Sequence, residues 1–533
     1  VILKLLYAMK ESSPNFEPHL NYHEQMAGFA ACGYAQAKQS LGVAYATRGP
    51  GITNMITCIA EAYQEALPVL FITAHGYRLA TAPKQRSSQE LDLVKSVSGF
   101  TKYSANVETV EEVEEKLKTA CRTALEGRKG PVFLDFLTEL FSKQMTETII
   151  EEKDSSVAAN ADYAVDCIKN LIERARQPVI LLGNGVRGVE FVEKVNSLNI
   201  PILSSRSSQD IAGQCRSYFG YIGSHGCRYS NFILSKADVI ICIGNSMTFP
   251  LNSQSFSPIV NRAKIVRIDI DENEFDKGIP NCINVLCDAG AFLRRFSSVN
   301  LHYSGEKEWI KKCNEIKKKL NSCDLVEPVG KLIELFETIR NDIVFVCDVG
   351  NNEFWFSRAF EYVRPQGQIL YSKMYGTLGS ALGRAIGAYY ATHKNVLCVI
   401  GDQGLQYNIQ ELQYIVYWKL PIKIVLMNNA CSGMIYDHEA IMFNDKYIHV
   451  TCDNGYSVPK FKEVVTAYGI EHYYSGEICR DMMADVFQND MPVVYEIEYS
   501  NNIRLVPNIP KENRCQQMTP LIEKKLNDYL ESL

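Results

Sequence analysis

The chain has 533 residues, of which 46% are hydrophobic and 22% charged, and its net charge at pH 7 is −6. That length is too great for one hydrophobic core and predicts several domains. The modest negative charge gives no basis for binding nucleic acid or an anionic membrane surface, and the longest apolar runs, at 396–400 and 422–427, are too short to span a bilayer. We therefore predict a globular protein with no nucleic-acid partner and no membrane partner.

The seventeen cysteines are scattered singly, without a Cys-x-x-Cys pair. This spacing predicts neither a disulfide framework nor a zinc site, and it favours reduced thiols in a cytoplasmic protein. The chain begins at Val1 without Met and enters an apolar helical pattern that no capping residue precedes. We therefore expect that the natural chain begins earlier, and that any targeting segment would lie in that earlier part.

The first part of the chain, 1–148, alternates strand-like and helix-like segments. Short apolar runs predict buried strands at 43–47, 69–73 and 132–136, and segments rich in small residues predict helices at 24–38 and 54–65. Such alternation is typical of a doubly wound parallel sheet. A polar stretch at 151–160 predicts a domain boundary after it.

Two further parts, 161–300 and 328–533, show the same alternation. The second part contains the strand-like runs PVILLGN, VIICIGN and IVRIDID, and the third contains IVFVCDVG, VLCVIGD and IKIVLMNN. Between them, the basic segment 307–319 predicts a helix with a solvated charged face. The sequence thus predicts an α/β protein of three doubly wound domains with parallel sheets, apparently truncated at its N-terminus.

The segment 401–429 of the third domain carries the strongest chemical signal. One apolar strand ends in Gly401 and Asp402, a helical stretch follows, and a second apolar strand ends in Asn428 and Asn429. Because a strand–helix–strand crossover brings together the carboxyl ends of neighbouring parallel strands, Asp402 and Asn429 should meet. Their oxygens suit a hard cation such as Mg²⁺, which keeps coordination positions for phosphate oxygens.

This segment resembles the thiamine diphosphate fingerprint, Gly-Asp-Gly followed by Asn-Asn, with Gln403 where a small residue is usual. TRGPGITN at 47–54 and MYGTLGSALGRAIGA at 374–388 resemble further motifs of one family, the acetolactate synthase-like thiamine diphosphate enzymes. The resemblance extends over nearly the whole chain. It implies a pyrimidine-binding first domain, a Rossmann-like middle domain and a diphosphate-binding third domain.

For the first domain, the resemblance implies that Glu24, in NYHEQMAGFAACGYAQA, is the catalytic glutamate beside the pyrimidine ring. It places Gln89 near the reacting substrate, although an ordinary helix start capped by Ser88 would explain the same residues. Arg48 stands where the family has a small residue, and it could recognise a substrate carboxylate or phosphate or pair with a surface acid. His75, just after a predicted strand, is a candidate proton shuttle on an active-site rim or a structural histidine.

For the third domain, the resemblance implies a complete cofactor site. Its cofactor-binding residues would be Gly350, Asn351 and Asn352 in DVGNNEFW, together with Gly376, Leu378, Gly401, Gln403, Gly404, Gly433 and Met434. Gly376 would accept the pyrimidine amino group through its carbonyl, and Leu378 would be the apolar wedge that holds the cofactor bent. The Mg²⁺ ligands would be the side chains of Asp402 and Asn429 and the backbone carbonyl of Cys431.

Two departures from the acetolactate synthase pattern and one glycine-rich motif bear on the cofactor and the substrate. GNGVRG at 183–188 spells Gly-x-Gly-x-x-Gly, but no acid follows at the spacing of a dinucleotide site. Acetolactate synthases usually show an arginine and paired aspartates after the strand that matches VIICIG, whereas this chain has NSMTFPLN, which argues against FAD. His438 stands where the biosynthetic enzymes carry a tryptophan, and it favours a more polar substrate or acceptor.

The resemblance implies a thiamine diphosphate- and Mg²⁺-dependent enzyme that decarboxylates a pyruvate-like 2-keto acid. The resulting two-carbon or acyl carbanion unit would be transferred to a carbonyl acceptor. A simple 2-keto acid decarboxylase, a 2-hydroxyacyl carbon–carbon lyase and a cofactor-binding homologue without turnover stay open as alternatives. Relatives build each site from the first domain of one subunit and the third of another, so we expect a homodimer or homotetramer with active sites between subunits.

Overall fold

The computed structural model of the chain describes residues 2–13, 15–78, 88–143, 160–189, 195, 198–247, 254–276, 278–296, 298–299, 303 and 305–533. Its strands form three sheets, of four, six and six strands, with helices in the connections. Neighbouring strands pair in parallel in each sheet. The predicted fold class, α/β with three parallel sheets, is confirmed.

The first sheet has the strand order β1–β2–β4–β3. Its strands are β1 (Gly42–Tyr45), β2 (Val69–His75), β3 (Tyr103–Val107) and β4 (Val132–Leu137). The described helices of this part are α1 (Leu3–Ser12), α2 (Glu24–Lys38), α3 (Pro50–Thr53), α4 (Ile56–Gln64), α5 (Leu93–Val97) and α6 (Val110–Leu125), with 3-10 helices at Ser98–Phe100 and Thr138–Ser142. Nearly every residue of β2 and β4 is buried, which accounts for their unbroken apolar sequence.

The predicted helix 24–38 is present as α2, with the same bounds. The side chain of His23 caps α2 by accepting a hydrogen bond from the backbone N–H of Gln25. The predicted helix 54–65 is present as α4, and Pro50 starts a separate short helix, α3, that was not predicted.

The second sheet has the strand order β10–β9–β8–β5–β6–β7. Its strands are β5 (Pro178–Leu182), β6 (Ile202–Ser204), β7 (Tyr218–Tyr221), β8 (Val239–Ile243), β9 (Lys264–Asp269) and β10 (Cys282–Leu286). The described helices here are α7 (Ala161–Ile172), α8 (Gln209–Ala212), α9 (Arg228–Lys236), α10 (Ser257–Arg262), α11 (Ala289–Phe296), α12 (Glu306–Leu320) and α13 (Glu327–Phe336), with 3-10 helices at Asn184–Val186, Arg206–Ser208 and Glu272–Asp276. The basic segment 307–319 lies in α12, as predicted.

The GNGVRG turn after β5 is built for close packing of two backbone segments. A β-carbon at Gly183 would lie 2.5 Å from the α-carbon of Asn245, and one at Gly185 would lie 2.7 Å from the α-carbon of Gly244. These distances are shorter than side-chain packing allows, so the first two glycines of the motif are explained by the approach of the segment that follows β8.

The third sheet has the strand order β12–β11–β13–β14–β16–β15. Its strands are β11 (Ile343–Cys347), β12 (Gly367–Tyr371), β13 (Val396–Gly401), β14 (Ile422–Asn428), β15 (Glu471–Tyr474) and β16 (Val493–Glu498). The described helices are α14 (Asn351–Val363), α15 (Ala381–Thr392), α16 (Asp402–Tyr407), α17 (Glu411–Tyr417), α18 (Gly433–Phe443), α19 (Phe461–Ala467), α20 (Arg480–Gln488) and α21 (Lys524–Ser532), with a 3-10 helix at Cys452–Asn454. The helical stretch predicted between β13 and β14 is two helices, because Asn408 leaves helical geometry with φ −142°.

The described chain divides into two compact units. The first unit comprises Val1–Ser155, Asn341–Glu353 and Ile369–Glu498, and holds the first sheet and almost all of the third; the second comprises Ser156–Arg340, Phe354–Gln368 and Tyr499–Leu533, and holds the second sheet. Each unit has its own buried apolar core. None of the helices in the described residues has the length and apolar character needed to cross a bilayer.

Within the first unit, α2 and α15 pack with their backbones in contact. Gly33 of α2 lies against the backbone of Arg384, and Gly387 of α15 lies against the backbone of Ala30, so a β-carbon at either glycine would overlap its neighbour. The small residues noted in α2 therefore serve this packing. The contact fixes α2, and with it the candidate catalytic residue Glu24, against the third sheet.

A fully buried ion pair joins α4 to α15 beside this contact. Arg384 donates to Glu61, and both side chains are inaccessible to solvent. Arg384 Nη1 also donates to Gln36 Oε1 over 2.7 Å, and the Ser372 hydroxyl donates to Glu61 Oε2 over 2.8 Å. The charges are tolerated in the core because each has an opposite charge and a further hydrogen bond.

Replacing Arg384 with methionine should lower the free energy of unfolding of the first unit by about 3–5 kcal/mol, because Glu61 would keep a buried charge without its partner. Urea denaturation measures the loss, and Arg174→Met, at an exposed position of the second unit, serves as the control. Adding Glu61→Gln to Arg384→Met should recover part of the stability. A double variant less stable than Arg384→Met alone would contradict this account of the pair.

Candidate functional site

The predicted cation ligands Asp402 and Asn429 come together at the carboxyl edge of the third sheet. β13 and β14 are neighbours and run parallel, with Gly401 opposite Met427. Asp402 is the first residue of α16, and Asn429 follows β14 directly. The backbone N–H of Asn429 donates to Asp402 Oδ2 over 3.3 Å. The crossover argument therefore placed these two residues correctly.

The Asp402 carboxylate is buried and held by hydrogen bonds. Only 3% of the residue is exposed. Its Oδ1 accepts from the backbone N–H of Gln403 over 2.6 Å and from the hydroxyl of Tyr456 over 2.7 Å. Burial raises the pKa of Asp402 above its ordinary value, and these hydrogen bonds oppose that rise. No sequence motif pointed to Tyr456.

The turn after β14 presents the other candidate ligands. Ala430, between Asn429 and Cys431, has φ 48°, and Cys431 is buried. One carboxylate, one amide oxygen and one backbone carbonyl form a set of oxygen ligands of the kind that Mg²⁺ takes. No cluster of three or more His, Cys, Asp or Glu side chains suited to a metal occurs among the described residues.

Two helix N-termini lie close to each other next to these ligands. α14 begins at Asn351 and α18 begins at Gly433. A β-carbon at Gly433 would lie 3.3 Å from Asn351 Nδ2 and 3.2 Å from Asn429 Nδ2, so the first turn of α18 approaches both amides closely. Since the N–H groups of a first helical turn have no partner within the helix, this edge suits an anion such as a diphosphate. Met434 belongs to the same first turn.

The side chains of Asn351 and Asn352 differ in their surroundings. Asn351 Nδ2 donates to Asp437 Oδ2 of α18 over 2.9 Å, whereas its Oδ1 is buried without a hydrogen-bond partner. Asn352 Nδ2 donates to the backbone carbonyl of Asp348 over 2.8 Å, so this amide braces the preceding turn. Gly350, with φ 123°, makes that turn possible.

The glycine-rich loop at 376–379 lies against the same edge. Gly376 is exposed with φ 70° and open space around its α-carbon, and Leu378 is half-buried. A β-carbon at Gly379 would lie 3.0 Å from the carbonyl oxygen of Gly404. The structure therefore brings this loop to the turn that carries Asp402 and Gln403.

Asp348 anchors the glycine-rich loop and was not predicted. Its carboxylate is inaccessible to solvent and accepts hydrogen bonds from the backbone N–H groups of Gly379, over 2.8 Å, and Ala381, over 3.3 Å. Burial raises the pKa of Asp348 to about 7, although these hydrogen bonds act in the opposite direction. Its position directly after β11, in the DVG that precedes Asn351, was a signal that could have indicated it.

In the first sheet, the candidates gather at the carboxyl ends of β1 and β2. Asn54 Nδ2 donates to Glu24 Oε2 over 3.0 Å. Arg48 Nη1 pairs with Glu90 Oε1 over 2.5 Å, and the backbone N–H of Gly76 donates to the same oxygen over 2.9 Å. The alternative in which Arg48 pairs with an acid is thus realised in this chain, with a partner that is itself mostly buried.

Gln89 is exposed and has φ 61°, and it lies against Gly49 of the TRGPGITN turn. It does not begin a helix, because Asp92 caps α5 by accepting a hydrogen bond from the backbone N–H of Lys95 over 3.1 Å. The alternative of a helix start capped by Ser88 is therefore wrong.

His75 lies inside the protein instead of on an exposed rim. It is the last residue of β2, is 4% exposed, and its Nδ1 lies 3.0 Å from Asp135 Oδ1 on β4. Its Nε2 is buried without a hydrogen-bond partner, 3.9 Å from Glu108 Oε1. Burial raises the pKa of Asp135, against the hydrogen bond from His75. The predicted strand 69–73 stopped too early, since β2 continues to His75.

Comparisons with known proteins match this arrangement. Three sequence profiles match the chain: "Thiamine pyrophosphate enzyme, N-terminal TPP binding domain" at 1–96, "Thiamine pyrophosphate enzyme, central domain" at 165–296 and "Thiamine pyrophosphate enzyme, C-terminal TPP binding domain" at 348–497. Together they cover more than two thirds of the chain. The chain belongs to the thiamine pyrophosphate enzymes. The predicted family, with its thiamine diphosphate (pyrophosphate) cofactor, is confirmed.

Relatives of this thiamine pyrophosphate enzyme include acetolactate synthase large subunits. The acetolactate synthase large subunit of Lactococcus lactis subsp. lactis is 28% identical over 521 residues, covering 94% of this chain and 88% of that protein. The acetolactate synthase isozyme 2 large subunit of Escherichia coli is 27% identical over 508 residues, covering 92% and 89%. The acetolactate synthase large subunit of Porphyra purpurea is 25% identical over 539 residues, covering 96% and 90%.

The residues at the edge of the third sheet fit thiamine pyrophosphate with a divalent cation. The buried, unpartnered Oδ1 of Asn351 is an acceptor that a cation or its bound water would satisfy. The N-termini of α14 and α18 supply N–H donors for the pyrophosphate oxygens. Gly433 leaves room where any side chain would press on the amides of Asn351 and Asn429.

Among the described residues, no hydrogen bond joins Glu24 directly to the candidate cation ligands. Glu24 bonds to Asn54, while the start of α2 is tied to α17, since Glu411 Oε1 accepts from the backbone N–H groups of Tyr22 and His23 over 2.8 and 3.1 Å. The loop that carries Leu378 is tied to Asp348, and just before it the backbone N–H of Tyr375 donates to Glu65 Oε1, directly after α4, over 3.2 Å.

His438, the residue that departs from the biosynthetic enzymes, lies exposed on α18. Its neighbour Asp437 is turned toward Asn351, while Tyr436 is buried and stacks on Tyr447 with ring centroids 4.2 Å apart. His438 is therefore exposed to solvent, whereas Asp437 and Tyr436 on the same helix contact other residues of the protein.

Replacing Asp348 with asparagine should flatten the dependence of stability on pH. In the folded protein the pKa of Asp348 is about 7, whereas in the unfolded chain it has its ordinary value of 3.8. The protonated carboxyl group therefore stabilises the folded state fully below pH 4, and this stabilisation is lost as the pH rises to about 7. Thermal midpoints at pH 5 and pH 8 measure this, and the wild type should fall further between them than the variant. Asp342→Asn, at an exposed surface ion pair, is the control. Equal falls in the wild type and Asp348→Asn would contradict the prediction.

Proposed function

We propose that this thiamine pyrophosphate enzyme decarboxylates a pyruvate-like 2-keto acid and transfers the two-carbon or acyl unit to a carbonyl acceptor. The observation that carries the proposal is the meeting of Asp402 and Asn429 beside the N-termini of α14 and α18, at one edge of one sheet. Acetolactate synthase large subunits align with more than nine tenths of the chain, which supports carboligation over simple release of an aldehyde.

The cation of this site is proposed to be Mg²⁺, held by Asp402, Asn429 and the carbonyl of Cys431. When bound, thiamine pyrophosphate supplies the nucleophilic carbon and the electron sink for loss of CO₂. The residues proposed to bind the cofactor are Gly350, Asn351, Asn352, Gly376, Leu378, Gly401, Gln403, Gly404, Gly433 and Met434. FAD forms no part of the proposal, because the chain lacks the arginine and paired aspartates after β8.

Glu24 is proposed to exchange a proton with the pyrimidine ring nitrogen, the step that sets the cofactor's tautomer. The hydrogen bond from Asn54 holds its carboxylate in one orientation. His75, oriented by Asp135 at Nδ1, keeps Nε2 available for proton transfer. Gln89, beside Gly49, is proposed to contact the substrate.

Arg48 is proposed to recognise a substrate carboxylate while it stays paired with Glu90. A guanidinium carries five N–H donors, and the ion pair with Glu90 uses Nη1. His438 is proposed to line the acceptor side, where an exposed imidazole suits a polar acceptor better than the tryptophan of the biosynthetic enzymes.

The active protein is proposed to be a cytoplasmic homodimer or homotetramer with active sites between subunits. Support comes from the likeness to thiamine pyrophosphate enzymes, since that resemblance implies a site built from the first domain of one subunit and the third domain of another. A second copy would then bring its Glu24 to the proposed cofactor site of the first. Gel filtration coupled to an activity assay tests this, and a fully active monomer would contradict it.

Product analysis tests the proposed reaction. The protein is incubated with thiamine pyrophosphate, Mg²⁺ and pyruvate, with and without a second 2-keto acid or an aldehyde, and products are identified by mass spectrometry. The proposal expects CO₂ and a 2-hydroxy ketone or 2-hydroxy-3-keto acid. If an aldehyde is the sole product with every acceptor, the protein is a simple decarboxylase and the proposed carboligase activity is contradicted.

A further inference from the structure

A chain of hydrogen bonds joins three side chains next to the turn that presents the proposed cation ligands, and two of the three side chains are buried. His472 Nε2 lies 2.6 Å from Glu496 Oε2, and the side chains are 1% and 2% exposed. Asn428 Nδ2 donates to Glu496 Oε1 over 2.6 Å. These residues come from β15, β16 and β14, three neighbouring strands of the third sheet.

The far end of this chain of hydrogen bonds reaches the ligand turn itself. Asn428 Oδ1 accepts from the backbone N–H of Ala430 over 3.0 Å. Ala430 has φ 48°, a left-handed conformation that residues with a β-carbon seldom adopt without support. It stands between Asn429 and Cys431, so its conformation decides where the Asn429 side chain and the Cys431 carbonyl point.

The chemistry of the three groups fixes the direction of every hydrogen bond. A carboxylate only accepts, so Glu496 takes the NH₂ end of the Asn428 amide and leaves the oxygen for Ala430. His472 fills the other carboxylate oxygen as a donor, since Nε2 is the ring nitrogen that faces Glu496 and its Nδ1 is buried without a partner. Turning the Asn428 amide over would set its NH₂ against the Ala430 N–H.

We propose that Asn428, Glu496 and His472 are positioning residues that hold the 429–431 turn in its cation-binding conformation and thereby set the affinity for the divalent cation. The inference rests on the proposed function, which places the cation at Asp402, Asn429 and Cys431. Outer hydrogen-bond partners of ligands commonly change metal affinity by about 10–100-fold when they are removed. A buried acid with a merely structural role would change stability without changing the cation requirement.

Equilibrium dialysis of thiamine pyrophosphate against increasing Mg²⁺ tests the proposal without relying on turnover. Glu496→Gln should raise the Mg²⁺ concentration for half-maximal cofactor binding by about 10-fold or more, because glutamine can donate to Asn428 and turn its amide over. Activity lost at low Mg²⁺ should return as Mg²⁺ is raised. Glu498→Gln, two residues along β16 and exposed, should leave the Mg²⁺ requirement unchanged.

A second pair of variants, at His472, tests the proposal without removing the carboxylate charge of Glu496. His472→Gln retains a donor for Glu496 and should stay close to wild type, whereas His472→Phe removes the donor and should raise the Mg²⁺ requirement. Thermal midpoints, recorded in parallel, measure stability separately. A Mg²⁺ requirement that is unchanged in Glu496→Gln and His472→Phe would overturn the positioning role. Wild-type protein that binds thiamine pyrophosphate without any divalent cation would overturn the proposed cation site as well.

Discussion

Replacing Asp402 with asparagine should abolish the Mg²⁺-dependent binding of thiamine pyrophosphate at millimolar Mg²⁺ and, with it, turnover. Asp402 is the one carboxylate in the proposed ligand set, and its charge offsets that of the cation in a buried setting. Asparagine keeps the shape but loses the charge, and its NH₂ can face the donors that now point at the carboxylate. Because outer partners alone are worth about 10–100-fold in metal affinity, loss of a ligand should cost more than about 100-fold.

Cofactor binding is measured by equilibrium dialysis over a range of Mg²⁺, and turnover by release of CO₂ from pyruvate. Asp453→Asn, at an exposed residue of the segment between α18 and α19, is the matched control and should bind as wild type does. The proposal also expects Asp402→Asn to fold, since it removes a buried charge. Wild-type Mg²⁺ dependence in Asp402→Asn would remove Asp402 from the ligand set.

Local patterns were sufficient for the elements that position the site. The bounds of α2 follow from its run of small and apolar residues, and the pairing of β13 with β14 follows from the rule that a crossover connects parallel neighbours. The errors lie where local chemistry competes with the pattern. Pro50 starts a helix of its own, and Asn408 interrupts the helical stretch between β13 and β14.

The tertiary contacts of several side chains at the site could not be predicted from local sequence patterns. Tyr456 reaches Asp402 across 54 positions, and Asp348 reaches Gly379 across 31, in loops whose paths no periodicity specifies. The same holds for Asp135, which meets His75 across 60 positions because β2 and β4 are neighbours. A family motif marks residues that touch the cofactor, whereas these residues hold the motif residues in place.

Replacing Glu24 with glutamine should leave cofactor binding intact and lower turnover by about 10²–10⁴-fold, the range of general acid–base catalysis. Glu24 is half-buried at the start of α2 and is not among the residues proposed to hold the cation and the pyrophosphate, so its replacement should remove proton exchange and not a phosphate contact. Glutamine can keep a hydrogen bond with Asn54 through its carbonyl oxygen.

The measurement pairs equilibrium dialysis of thiamine pyrophosphate with the rate of hydrogen–deuterium exchange at the cofactor's thiazolium carbon, a readout that needs no substrate. Glu17→Gln, at an exposed residue that precedes α2, should match wild type in both. Slow hydrogen–deuterium exchange with unchanged cofactor affinity in Glu24→Gln would identify Glu24 as the proton partner of the cofactor. If Glu24 were only a structural acid at a helix start, its replacement would change the stability of the protein and not the exchange rate. Wild-type exchange and turnover in Glu24→Gln would remove Glu24 from the mechanism while leaving the cation site of the third sheet untouched.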